Sequence, residues 1–151
     1  MPKFESTRIV TFTPRQMFDL VADVERYPEF VPLCERLTIR TRREREGTTL
    51  LVADMTVAYK MIRESFATQV LLDPDKRQID VEYIDGPFRF LRNQWRFEDD
   101  PKGCRVVFFI EYEFKNRALG MVMGSMFDYA FRRFAVAFEE RAAKVYAAPA
   151  A

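Results

Sequence analysis

The sequence predicts an α+β fold: a curved antiparallel sheet of about seven strands wrapped around a long C-terminal helix, with two short helices after the first strand. Two observations carry this expectation. Between Cys34 and Lys115, six strand-like runs follow one another at hairpin spacing without a helical crossover, which makes the sheet antiparallel. From Arg117 to Tyr146, apolar residues recur at the three-and-four spacing of one helix face. That face is the largest apolar stripe in the chain and has no helical partner of its own, so it must lie across the concave side of the sheet. A bent sheet gripping a single helix does not close completely, and a gap between the two is expected.

The elements follow in order. KFESTRIVTF has strand composition. TPRQMFDLVADV opens a helix: Thr13 is placed as N-cap, Pro14 suits the first helical position, and Gln16 completes a capping box. Phe18, Val21 and Ala22 form its apolar side. ERYPEFVPLC is one short helical turn that ends before Pro32, because a residue preceding proline disfavours helical geometry. The six strands are LTIRTRRERE, TTLLVADMTVAYK, MIRESFATQVLL, RQIDVEYI, FRFLRNQWRFED and CRVVFFIEYEFK, with breaks at Gly47, DPDK, DGP and DPKG. The final helix presents Leu119, Val122, Met123, Met126, Phe127, Ala130, Phe131, Phe134, Ala137, Phe138 and Val145 on one face. The chain reads as one domain over 1–147, with 148–151 a disordered tail.

Composition narrows the function. Aromatic residues make up 15%, with 15 Phe, and these rings need a thick core or a cavity to line. The net charge of +1 creates no global field that favours nucleic acid or an anionic membrane. Histidine is absent, which removes the commonest general base and metal ligand. Cys34 and Cys104 form no CxxC pair and read as small buried hydrophobes. Asp54, Arg63, Glu64, Glu111 and Glu113 are the polar strand residues open to a catalytic reading, but alternating acids and arginines are usually a solvated sheet face. No nucleophile is paired with a base. The expectation is a non-enzyme that requires no metal or cofactor. MPKFESTRIV lacks the basic-then-apolar layout of a signal peptide, which suggests a cytoplasmic protein.

Three stretches carry a family resemblance: DVERYPEFVPLC at 23–34, DGPFRFLRNQWRF at 85–97, and FDYAFRRFAVAFEERA at 127–142. In these the chain resembles the coenzyme Q-binding family of the START-like (SRPBCC, polyketide cyclase/dehydrase-type) superfamily, which includes the bacterial ribosome-association toxins. The resemblance implies the helix-grip fold and a hydrophobic tunnel holding an isoprenoid quinone, ubiquinone or a similar lipid, as a carrier serving respiration. On this expectation the walls are Phe66, Val70, Tyr83, Trp95, Phe97, Phe108, Ile110, Met123, Phe127, Phe131 and Phe134. Tyr27, Phe30, Val31, Phe88 and Leu91 lie near the mouth. Transient contact with a membrane surface, peripheral at the inner membrane of a bacterium, goes with lipid handling.

Two features allow more than one reading. Gly120 and Gly124 sit one turn apart at the start of the last helix, beside Met121, Met123 and Met126. They let the helix pass close to a loop, leave a soft-rimmed mouth to the tunnel, or do both. The stretch RTRRERE, with Arg40, Arg42, Arg43 and Arg45, is a charged hairpin edge, the contact of a toxin–antitoxin type module that binds the large ribosomal subunit and blocks subunit association, or a weak contact with anionic lipid.

Overall fold

A computed structural model describes residues 3–59 and 61–146; the expected tail at 148–151 lies outside the described residues. The chain runs β1 (Lys3–Val10), α1 (Pro14–Ala22), a 3-10 turn (Val24–Glu29), β2 (Cys34–Arg45), β3 (Thr48–Tyr59), β4 (Ile62–Asp73), β5 (Gln78–Asp85), β6 (Phe88–Asp100), β7 (Gly103–Phe114) and α2 (Arg117–Val145). All seven strands form one antiparallel sheet in the order β1-β7-β6-β5-β4-β3-β2. This is the expected helix-grip architecture.

Local chemistry sets the element boundaries. Thr13 Oγ1 accepts from the Gln16 N–H, and the Gln16 side chain accepts from the Thr13 N–H, each at 3.0 Å. This reciprocal capping box fixes the start of α1, with Pro14 in the first turn. Asn116 Oδ1 accepts from the N–H groups of Ala118 and Leu119 and caps α2. Arg8 of β1 bonds Glu139 of α2 and ties the first strand to the last helix.

The buried stripe of α2 is Met123, Met126, Phe127, Ala130, Phe131, Phe138 and Ala142. Val122 and Val145, expected on this face, are 54% and 50% exposed. Successive helical residues lie about 100° apart, so Val122 is turned away from its buried neighbour Met123.

The helix does not cover the sheet evenly. It approaches most closely at β7 and β1. Its Phe127 stacks on Phe114 at 5.5 Å and on Phe88 at 5.8 Å, while Phe138 meets Trp95 edge-on at 5.0 Å. The gap expected from the sequence lies between α2 and the inward residues of β2 to β7.

Candidate functional site

Cross-strand register builds the floor of the gap. One row crosses the sheet through Leu51, Val70, Val81, Asn93 and Ile110, each opposite its neighbour on the next strand. Strand alternation puts Leu91, Asn93, Trp95 and Phe97 on the same inward face of β6, and all four are buried. Phe66, Thr68 and Val70 form the matching series on β4.

These rows and α2 enclose a cavity of about 100 Å³. Of the expected site residues, Tyr27, Val31, Phe66, Val70, Phe88, Leu91, Trp95, Ile110, Phe127, Phe131 and Phe134 line it. Alternation also supplies wall residues that the sequence reading did not single out, among them Ala53, Met55, Val57 and Val81. The lining is apolar except for Thr68, Asn93 and the Tyr27 hydroxyl. The Tyr27 hydroxyl donates to the Val21 carbonyl. Asn93 Nδ2 donates to the Phe109 carbonyl at 2.8 Å, which leaves its second N–H and its oxygen free to face the cavity. Both polar residues were legible as inward positions, Thr68 two residues from Phe66 and Asn93 two from Trp95.

Five expected residues do not line the cavity. Phe97 is inward, but it meets Phe18 of α1 edge-on at 5.9 Å and stacks against Trp95 at 6.1 Å, beyond the end of the gap. Phe108 is screened by Trp95, Phe131 and Phe134. Met123 is fully buried in the α2 packing. Tyr83 packs edge-on against Phe88, and its hydroxyl accepts from the Phe88 N–H at 3.2 Å. Phe30 sits outside, against Phe138 at 5.0 Å and beneath the Arg141 guanidinium, also at 5.0 Å.

Phe88 departs from expectation in another way. It was placed near the mouth, yet it is 1% exposed, within reach of Phe66, Tyr83, Tyr112, Phe114 and Phe127. A register shift between Phe88 and Phe90 turns its ring inward. Gly86 makes that turn possible. Its φ is +143°, and an added Cβ would fall 2.5 Å from the Phe66 Cβ.

The 27–33 segment forms one wall of the cavity and is pinned to it. Tyr27 and Phe30 both meet Phe138 edge-on, and Arg141 of α2 holds Glu29 at 2.6 Å. Arg26 and Arg141 hold the Glu29 carboxyl below its ordinary range. Burial pushes the Tyr27 hydroxyl well above its ordinary value, and the Cys34 thiol up to about 11. These groups stay neutral and protonated near pH 7.

The polar strand residues open to a catalytic reading lie elsewhere. Asp54 pairs with Arg40 through two hydrogen bonds of 2.6 and 3.1 Å, and Arg63 pairs in the same way with Glu35 at 2.6 and 2.7 Å. Neither these residues nor Glu64 lines the cavity. Arg42, Arg43 and Arg45 are exposed on β2, an edge strand. Gly120 and Gly124 are not close-packed. An added Cβ would meet Phe114 at 3.5 Å in the first case and nothing within 4 Å in the second. The close-approach reading is therefore corrected at Gly124, which faces open space, while at Gly120 an added methyl would sit in ordinary contact with Phe114.

An apolar cavity thus lies between the curved sheet and its last helix. The model of the polyketide cyclase / dehydrase and lipid transport family matches residues 10–139. The chain belongs to this family. It is 30% identical over 148 residues to the ribosome association toxin RatA of Rickettsia prowazekii, covering 96% of this chain and 99% of that one. It is 28% identical over 149 residues to coenzyme Q-binding protein COQ10 homolog B, mitochondrial, of Xenopus laevis, covering 95% of this chain and 59% of that one. The solution structure of the 18 kDa protein CC1736 from Caulobacter crescentus superposes with a TM-score of 0.81 at 36% identity, covering 98% of this chain and all of that one. A START superfamily protein from Mycobacterium smegmatis superposes at 0.77 with 19% identity, covering 95% of this chain and 98% of that one. The Zhui aromatase/cyclase from a Streptomyces species does so at 0.71 with 18% identity, covering 93% and 90%. These last two likenesses concern the fold alone. Among the described residues, no helix is long and apolar enough to cross a membrane.

Proposed function

We propose that the protein is a non-catalytic carrier for an isoprenoid quinone or a closely related lipid, held between α2 and the sheet. One observation carries this reading: the cavity is apolar, and the donors without a partner in its lining, among the described residues, are the Thr68 hydroxyl and one Asn93 N–H. A quinone head has only acceptor carbonyls, and the Thr68 hydroxyl and second Asn93 N–H are donors of the matching kind. The isoprenoid tail supplies the driving force, about 0.8 kcal/mol for each CH₂ removed from water. The likeness to the COQ10 homolog supports the same ligand class.

At about 100 Å³ the cavity is smaller than a quinone with its tail. A single benzene ring occupies an apolar cavity of about 150 Å³. Loading therefore widens the site. The start of α2 suits that role, because Gly120 and Gly124 remove bulk there and Met126 is deformable.

Trp95 is the only tryptophan and lines the cavity, so its fluorescence reports occupancy directly. Titration with a short-tail quinone should quench Trp95 saturably at one equivalent, and lipid extracted from protein purified from its own host should contain quinone. Absence of both would overturn the proposal.

A second reading has its own support. The ribosome association toxin matches along nearly the whole chain, and Arg42, Arg43 and Arg45 have no acidic partner among the described residues. Changing these three to Glu should leave Trp95 quenching intact. If the variant loses a salt-sensitive association with large ribosomal subunits, and the parent never binds quinone, the interaction module replaces the carrier.

A further inference from the structure

The cavity has an outer counterpart. Three separate elements each place a cavity residue within two positions of a residue that lines a groove on the protein surface. On β3 these are Val57 inside and Tyr59 outside, and on the 31–33 segment Val31 and Leu33. On α2 they are Phe127 and Met126. Ile62, Val122 and Tyr129 complete the apolar lining of the groove. Groove and cavity thus adjoin along β3, the 31–33 segment and α2.

The rim of this groove is unusually apolar. Met61 is 98% exposed, Met121 79%, Val122 54% and Tyr129 51%. With Tyr59, these make five of the eight large exposed hydrophobics among the described residues, gathered on the β3–β4 hairpin and the first turns of α2. Large exposed apolar residues clustered around an apolar groove mark an interaction site.

Charge indicates what covers it. No acid occurs between Lys115 and Phe127. The first acid of α2, Asp128, is taken up by Arg132 at 2.9 Å. That leaves Lys115, Arg117 and Arg133 as exposed cations without an acidic partner among the described residues, with Arg133 lying over the Tyr129 ring at 4.4 Å. Flexible Met side chains, a Tyr and neighbouring cations match a surface that is apolar inside and anionic outside, and that demands no shape complementarity.

We propose that this groove and its rim dock on an anionic lipid bilayer, and that lipid passes between the end of β3 and α2 into the cavity. The second half of the statement rests on the lipid-carrier reading; the docking does not. The side chains at the hairpin and at Met121 and Val122 insert among the acyl chains, while Lys115, Arg117 and Arg133 face the headgroups.

Flotation with vesicles tests this, comparing phosphatidylcholine alone with phosphatidylcholine carrying about 30 mol% phosphatidylglycerol. The parent should float with the anionic vesicles and lose binding as salt rises. The double variant Met61→Asp/Val122→Asp should bind more than about tenfold more weakly. Lys115→Glu/Arg117→Glu should weaken binding by roughly five-fold per cation removed. Neither pair lines the cavity, so both variants should keep the quenching of Trp95 by a short-tail quinone. Failure of the parent to float, or flotation of both variants at parental strength, overturns the docking surface. So does a parent that never floats but self-associates, or sediments with large ribosomal subunits, only while Met61 and Val122 are intact; the patch would then belong to that partner. Normal flotation with no quinone quench supports docking and defeats the quinone reading instead.

Discussion

Asn93→Leu separates a structural amide from one kept for a ligand. Asn93 is 9% exposed, in a transverse row otherwise made of Leu51, Val70, Val81 and Ile110. It makes one hydrogen bond, to the Phe109 carbonyl at 2.8 Å. Losing that bond costs about 1 kcal/mol. Burying a Leu side chain of similar size among apolar neighbours gains about 1.5–3 kcal/mol. The folded protein should therefore gain roughly 0.5–2 kcal/mol, with Tm rising by about 2–4 °C per kcal/mol for a chain of this length. Quinone binding should move the other way. Removing a donor to a ligand carbonyl costs about 1 kcal/mol, or roughly five-fold in Kd. Urea denaturation and Trp95 titration of the same preparations read both effects. A variant that is destabilised by more than about 1 kcal/mol and binds quinone at parental strength would refute the reasoning, since Asn93 would then be a structural residue.

Other substitutions probe the site and its frame. Phe134 lines the cavity but is only half-buried, so Phe134→Glu should fold and yet lose extractable lipid, because a carboxylate there is costly to desolvate; full lipid content in the folded variant would remove Phe134 from the site. Gly124→Ala should stabilise by about 0.4–1 kcal/mol in thermal melts, since its added Cβ meets nothing. Gly86→Ala should instead lower Tm sharply, because its Cβ would collide with that of Phe66. Burial raises the Cys34 and Cys104 thiols from 9.0 to about 11. Their contribution to stability is complete below pH 9 and declines as pH rises toward 11, and alkylation of the native protein at pH 8 should be far slower than that of the unfolded chain. Equal alkylation rates would contradict the burial.

Much of the frame was readable because short-range chemistry decides it. Thr13, Pro14 and Gln16 announce a helix start whatever surrounds them, and two-residue alternation places Trp95 inward. Alternation names a face, however, and not a position along the strand. Phe97 was right in direction, but the strand had already carried it past the cavity and beneath Phe18. Phe88 was placed near the mouth from the position of the DGPF loop, and the register shift at 88–90, which nothing in FRFL marks, carries its ring into the core instead. Asn93 and Thr68 stood in plain inward positions, but an aromatic-rich sequence draws attention to rings rather than to the few donors between them. Val122 shows the limit on the helix: its spacing fitted the apolar stripe, but the packing of Met123 and Met126 set the rotation of α2 and turned Val122 outward.

The strand order also has a consequence for how the chain reaches this structure. Strands β2 to β7 are a plain meander in which every pairing is between sequence neighbours, so each hairpin can form as soon as its second strand exists. β1 is the exception. It pairs with β7, from Lys3 opposite Glu111 to Val10 opposite Cys104, across the whole length of the meander. A chain emerging from its N-terminus must hold β1 unpaired until the last strand has appeared, and α2, which also leans on β1, comes later still. Closing that long loop is the costly step, so a late folding barrier should be sensitive to changes in β1 and at the Arg8–Glu139 link, and insensitive to changes in the β2–β3 hairpin.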